Sequence, residues 1–171
     1  MPTPEKQLML KRLKKQQKFW SKCGYLTAKG DFQDDDPNVR TAAADALIDM
    51  HAKPGDSILV LGCGPGHELG VVCEYVVGGK ILAIEPSEMI KTAKKRAEAM
   101  DYEGGFDVEI SFVRAFGEFL PVKGEFDCAL SVNTHRYLQD PVSVYKQIFK
   151  VLKPEGKLAL ADSRLHLDAE G

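Results

Sequence analysis

The spacing of apolar and polar residues changes rhythm once along this chain, near residue 55. Before it the rhythm is helical. In residues 5–22, Met9, Leu13 and Trp20 share one face and lysines fill the rest. In VRTAAADALIDMHA, residues 39–52, Ala43, Leu47 and Met50 share a face, and Asn38 is expected to cap that helix. The intervening CGYLTAKGDFQDDDPN carries Gly24, Gly30 and Pro37 and reads as a linker. Its three consecutive aspartates, residues 34–36, lack flanking ligands and read as solvated loop rather than metal site.

After residue 55, short apolar runs alternate with helical segments. The runs are SILVLG, KILAIE, VEISFV, FDCALSV and KLALAD. The helical segments are HELGVVCEYVV, MIKTAKKRAEAM with Ser87 as N-cap and Glu88 in its first turn, and PVSVYKQIFKVLK opening on Pro141. Continuously apolar strands need cover on both faces. The alternation predicts an α/β fold, a doubly wound, mostly parallel, Rossmann-like sheet of about five strands. Residues 1–37 are expected to form a basic helix and linker, and residues 38–171 a single Rossmann-like domain.

Composition narrows the partners. At 171 residues and 44% apolar, the chain supports one sizeable core. No run approaches the ~18 apolar residues of a membrane span, and the basic N-terminus lacks the apolar stretch of a secretory signal. The four cysteines form neither a CxxC pair nor a zinc spacing, as expected of a reduced, cytoplasmic protein. Charge is lopsided: residues 1–22 hold seven Lys/Arg against one Glu, and the remainder 16 basic against 24 acidic. Such an arm can serve nucleic acid or an anionic surface. The body carries no matching basic stripe, so the arm is expected to be the solvated face of a docked helix, with neither membrane nor nucleic acid as partner.

The chemistry is concentrated in VLGCGPGHE, residues 60–68, where three glycines fall within five positions directly behind a strand. In an open parallel sheet, ligands bind beyond the carboxyl ends of the strands. Glycine there lets bare backbone approach a ligand, and a following helix N-terminus favours an anionic group. KILAIE ends on Glu85, nineteen residues past Gly66, where a carboxylate offers two oxygens to the two hydroxyls of a ribose. Gly62, Gly64 and Gly66 depart from the GxGxxG dinucleotide fingerprint, with His67 where it wants glycine, and no GxxxxGK[ST] loop is present.

From about Pro54 to Asp162 the chain resembles the class I S-adenosylmethionine-dependent methyltransferases of small-molecule type. KPGDSILVLGCGPG, IEPSEMI, GEFLP, FDCALS, YLQDP and VLKPEGKL carry the resemblance, in the family's order. It implies S-adenosylmethionine as cofactor, with Gly62, Cys63, Gly64 and Gly66 at its methionine end and Glu85 on the ribose. It also implies Pro86, Met89, Phe116 and Gly117 around the adenine, and Ser131, Val132 and Asn133 beside the sulfonium. Two positions depart: Val60 replaces a frequent aspartate, and Phe116 replaces the acid after the third strand. Each lost charge-assisted hydrogen bond is worth ~1.5–3 kcal/mol where well formed.

Only SRLHLDAEG follows the fifth strand, too little for the family's C-terminal antiparallel hairpin. Either the polypeptide is a truncated or naturally shortened version of the family's domain, or a homodimer contact or partner subunit is expected to cover the exposed sheet edge. Methyl transfer from a sulfonium needs alignment more than a triad. His135, Arg136 and Tyr137, after the fourth strand, are the catalytic candidates: a base, an anchor for an anionic acceptor, and a loop anchor. His67 reads as a helix N-terminal residue. Phe19, Trp20 and Tyr25 are candidates to lie over the cofactor, with core packing of the arm as the alternative. The absence of a [DNS]PP[YFW] motif sets nucleic-acid amine methylation aside. Two readings remain: methyl transfer to a small-molecule acceptor, or a non-catalytic methyltransferase-like binding or regulatory subunit.

Overall fold

A computed structural model describes residues 3–27, 36–102, 105 and 107–162. Five parallel strands, β1 (Ser57–Leu61), β2 (Lys80–Ile84), β3 (Glu109–Val113), β4 (Phe126–Val132) and β5 (Leu152–Ala161), lie in the order β3-β2-β1-β4-β5. The helices are α1 (Pro4–Thr27), α2 (Pro37–Met50), α3 (Leu69–Tyr75), α4 (Ile90–Tyr102) and α5 (Pro141–Phe149).

Strand pleat explains why both faces are covered. Ile58 and Val60 of β1 point into one apolar layer, with Ala43 and Leu47 of α2, Val72 of α3 and Ala93 of α4. Leu59 and Leu61 point into the other, against Val144 and Ile148 of α5. Val60 is fully buried in the first layer, so the position where an aspartate was looked for is a core position here. Truncating a side chain such as Leu59 to Ala costs ~2–5 kcal/mol in such a layer.

Several expected boundaries shift, each for a local reason. Helix α1 continues to Thr27, through CGYLT of the expected linker. Residues 28–35 and 163–171, and the side chain of Tyr25, lie outside the described residues. The cap of α2 is Asp36 rather than Asn38: its Oδ1 accepts the Asn38 and Val39 N–H groups at 2.9 and 3.4 Å, and Pro37 occupies the first turn. One aspartate of the triplet thus ends a helix. Helix α4 starts at Ile90, later than expected, so Ser87 and Glu88 sit in the turn before it, where the Ser87 hydroxyl accepts the Met89 N–H at 3.2 Å. Helix α5 stops at Phe149, short of the expected Lys153. Pro154 disfavours helix at the residue before it, and the Val151 carbonyl is taken by the Phe126 N–H at 2.8 Å. Residues 153–156 then bulge before β5 re-registers, Cys128 facing Lys157.

The chain turns one way from β1 to β2 and β3 and the other way to β4 and β5. A crevice therefore opens at the carboxyl ends of β1, β2 and β4.

Candidate active site

That crevice holds a cavity of about 260 Å³. Its floor is the glycine turn after β1. Gly62 has φ +73, and a Cβ there would lie 2.2 Å from Oγ1 of Thr134, whose hydroxyl donates to the Gly62 carbonyl at 3.2 Å. Gly64 has φ +51, and its missing Cβ leaves open space, the nearest atom being Met89 Cε at 4.0 Å. The first glycine permits a close approach of β4's loop; the second bares backbone to the cavity.

Glu85, at the tip of β2, is 5% exposed and lines the cavity. Its Oε2 accepts the Gly64 N–H at 3.1 Å and its Oε1 the Ser87 N–H at 2.8 Å. Each oxygen keeps a lone pair, so the carboxylate is held rigid and can still accept a pair of hydroxyls.

A second buried carboxyl sits beside it. Glu68, 3% exposed, opens α3 with no side-chain capping bond. Burial pushes its carboxyl up from 4.5 to about 8, and the Glu85 charge adds to the rise; its own backbone N–H and Arg96 pull the other way. At neutral pH the Glu68 carboxyl therefore holds its proton for the most part, a neutral neighbour that can donate as well as accept. Cys63 lines the same wall; burial first, then Glu68 and Glu85, hold its thiol well above the usual range. His67 accepts the Asp36 N–H at Nδ1, 3.3 Å, tying the glycine turn to the cap of α2.

The remaining expected residues divide. Pro86, Met89, Phe116, Gly117, Val132, Asn133 and Tyr137 all line the cavity with Gly62, Cys63, Gly64 and Glu85. Gly66 does not: it packs against Leu69 and Ala93, where a Cβ would come within 2.9 and 3.2 Å. Ser131 is buried beneath the site, its hydroxyl without a hydrogen-bond partner among the described residues. His135 and Arg136 also fall outside the lining. The His135 ring stacks on Tyr145 of α5 and bonds its hydroxyl, and Arg136 reaches Asn133 Oδ1 at 3.3 Å.

Sequence reasoning missed Glu68, Glu118 and the two glutamines that seat the roof, although it offered Trp20 as a residue lying over the site. Glu118, 7% exposed, lines the cavity two residues after Phe116 and accepts the Gln139 N–H at 2.7 Å. It restores an acid near the position where Phe116 had replaced one. Helix α1 forms the roof: Leu13 is buried, Gln16 donates to the Tyr137 carbonyl at 2.8 Å, and Gln17 donates to the Pro86 carbonyl. Ser21 accepts the Glu88 N–H at 3.1 Å, and Trp20 meets the Tyr137 ring edge-on at 4.7 Å. Trp20 thus lines the cavity, while Phe19 points out, 59% exposed. The signal was two glutamines inside an otherwise apolar helix face.

A doubly wound sheet with a bare glycine turn and a clamped acid at its switch point places a ligand crevice where open parallel α/β folds carry theirs. Residues 59–160 match the methyltransferase domain family, and the chain belongs to it. The uncharacterized methyltransferase YdaC of Bacillus subtilis (strain 168) is 30% identical over 117 residues, covering 67% of this chain and 60% of its own. Phosphoethanolamine N-methyltransferase 1 of Zea mays is 30% identical over 114 residues, 66% of this chain and 22% of its own. A crystal structure of a SAM-dependent methyltransferase from Aquifex aeolicus superposes with TM-score 0.65 at 24% identity, over 80% of this chain and 73% of that one. The chain spans between about a fifth and three-fifths of the length of these two curated relatives.

Proposed function

We propose that this chain binds S-adenosylmethionine in the cavity under α1 and transfers its methyl group to a small-molecule acceptor. The observation that carries the reading is Glu85, buried, fixed by two backbone N–H groups and facing the space beside Gly64. The residues fit such a cofactor. Glu85 accepts ribose hydroxyls, and the open backbone at Gly64 takes the amino-acid end. Pro86, Met89 and Phe116 supply apolar contact for the base, with Glu118 beside them.

The cofactor brings a methyl carbon on a positively charged sulfur, activated for in-line displacement. The chain's task is then orientation and exclusion of water. Leu13 and Trp20 cover the cavity, and Thr134 locks the β4 loop to the glycine turn. The cavity lies just below the ~300–1,000 Å³ usual for one small ligand, and α1 is the element whose shift would widen it for an acceptor beside the cofactor. The small-molecule class draws support from the phosphoethanolamine enzyme among the relatives. A cytoplasmic setting draws support from the free thiols of Cys63, Cys73 and Cys128. Cover of β5 by a second copy or partner belongs to the same proposal.

A non-catalytic binding or regulatory role is favoured by one observation: His135, the candidate base, faces Tyr145 rather than the cavity. Calorimetric titration separates the readings. S-adenosylmethionine and S-adenosylhomocysteine should bind and NAD should not. Glu85→Gln should weaken binding at least ~30-fold, because its amide presents a donor to one of the two N–H groups. Failure of both nucleosides to bind would overturn the proposal. Binding with no methyl transfer across a panel of amine, hydroxyl and carbon acceptors would favour the non-catalytic role.

A further inference from the structure

Helix α1 has two working faces. The inner one, with Leu13, Gln16, Gln17, Trp20 and Ser21, closes the cavity. The outer one combines two features that solvation alone does not require. Lys11, Arg12, Lys14, Lys15, Lys18 and Lys22 are all exposed, and residues 1–22 hold one acid against seven bases. Among them stand two large apolar side chains, Leu8 and Phe19, 52% and 59% exposed. Eleven residues is close to three turns, so they share a face about 16 Å apart along the axis, with Lys15 between them.

We propose that this outer face docks on an anionic lipid surface. Phe19 and Leu8 enter the interface, and the lysines and Arg12 meet the headgroups, their aliphatic stems lying along the apolar boundary. The remainder of the chain, with 16 basic and 24 acidic residues, is repelled by the same surface, which turns the arm toward it and the body away. That polarity favours a lipid plane over nucleic acid, which draws on a basic track across the body and gains little from an exposed leucine. The expected solvated face thereby becomes an interaction surface. Because the helix that meets the lipid is the helix that roofs the cavity, docking and access to the cavity are mechanically joined.

The inference stands apart from methyl transfer, since docking needs neither cofactor nor acceptor, and its test uses the full chain without them. Co-sedimentation with phosphatidylcholine vesicles containing about one-third phosphatidylserine should exceed that with phosphatidylcholine alone by ~10-fold or more, and should collapse at ~0.5 M salt. The paired substitution Lys15→Glu and Lys18→Glu should remove most of the binding. Phe19→Ser should weaken it several-fold, with circular dichroism confirming an intact fold. In Phe19→Trp, emission beyond that of Trp20, the chain's single tryptophan, should shift to the blue on anionic vesicles only. Equal partition onto neutral vesicles would overturn the proposal. So would indifference to Phe19, an unshifted Phe19→Trp emission, or displacement from vesicles by single-stranded RNA at lower concentration than by free anionic lipid.

Discussion

The two rims of the cavity are built on different principles. The rim formed by β1 and β2 is fixed by main chain: positive-φ glycines and N–H groups, two of which immobilise the buried Glu85 carboxylate. The rim after β4 is side chains on a short 3-10 turn, His135–Tyr137, and of these only Tyr137 looks into the cavity. Main-chain geometry of the first kind suits a ligand part that never changes. Side chains on a partly exposed loop can be exchanged without disturbing the core, which suits the acceptor end. The difference assigns constancy to one rim and adaptability to the other.

The sharpest way to break this division is at the point where the rims touch. Gly62→Ala places a Cβ 2.2 Å from Thr134 Oγ1 at φ +73. Left-handed strain and overpacking together should cost about 2–5 kcal/mol. Denaturant unfolding should show it, and the added substitution Thr134→Gly should recover the overpacking part alone. Gly64→Ala, with φ +51 and open space, should cost only the strain while weakening nucleoside binding. If both substitutions unfold the protein equally, the second glycine is a packing residue and not a cradle.

Next in size is the pH response of the paired carboxyls. The Glu68 carboxyl titrates near 8 in the folded protein against 4.5 as its ordinary value, so the folded state holds the proton more tightly. Stability is then full below pH ~4.5 and falls as pH rises toward 8, because the native state resists losing a proton that the unfolded state gives up readily. Thermal melts of the ligand-free chain should drop by a few kcal/mol equivalent across that window. Glu68→Gln should flatten the slope and raise the melting point at pH 8. A slope that persists in the variant would assign the titration to another group.

These effects also mark what could be read from sequence. The sheet, its order of elements and the placement of Glu85 were legible because apolar runs, turn glycines and strand-end acids obey short-range rules. Pro141 at a helix start was legible for the same reason. Asp36 displaced Asn38 as a cap because both residue types satisfy the rule, and only the position of Pro37 separates them. Glu68 and Glu118 escaped because their importance lies in burial, which depends on elements distant in sequence. Trp20 over the site was legible, but the bonds that seat the roof escaped for a related reason: Gln16 and Gln17 bond carbonyls of Tyr137 and Pro86, 121 and 69 residues away.

Those glutamines supply a smaller test. Gln16→Ala with Gln17→Ala removes two hydrogen bonds at the edges of the roof, each worth ~0.5–1.5 kcal/mol. Nucleoside dissociation should quicken about tenfold while association changes little, a pattern that stopped-flow Trp20 fluorescence would resolve. An unchanged dissociation rate would mean that the apolar contacts of Leu13 and Trp20 alone retain the ligand.

The smallest expected effect belongs to His135, and its smallness is the informative result. Its ring stacks on Tyr145 at 5.9 Å between centroids and 10° between planes, on the outer side of the β4 loop. Asp162 lies close enough that, after burial, its charge helps raise the Tyr145 hydroxyl above its usual range, so His135 meets a phenol rather than a phenolate. An imidazole held there orients the loop but reaches no atom in the cavity. His135→Ala should leave nucleoside affinity within about twofold and lower turnover by less than about fivefold. A hundredfold fall in turnover with affinity unchanged would show that the loop swings inward once α1 moves. The adaptable rim would then be catalytic as well.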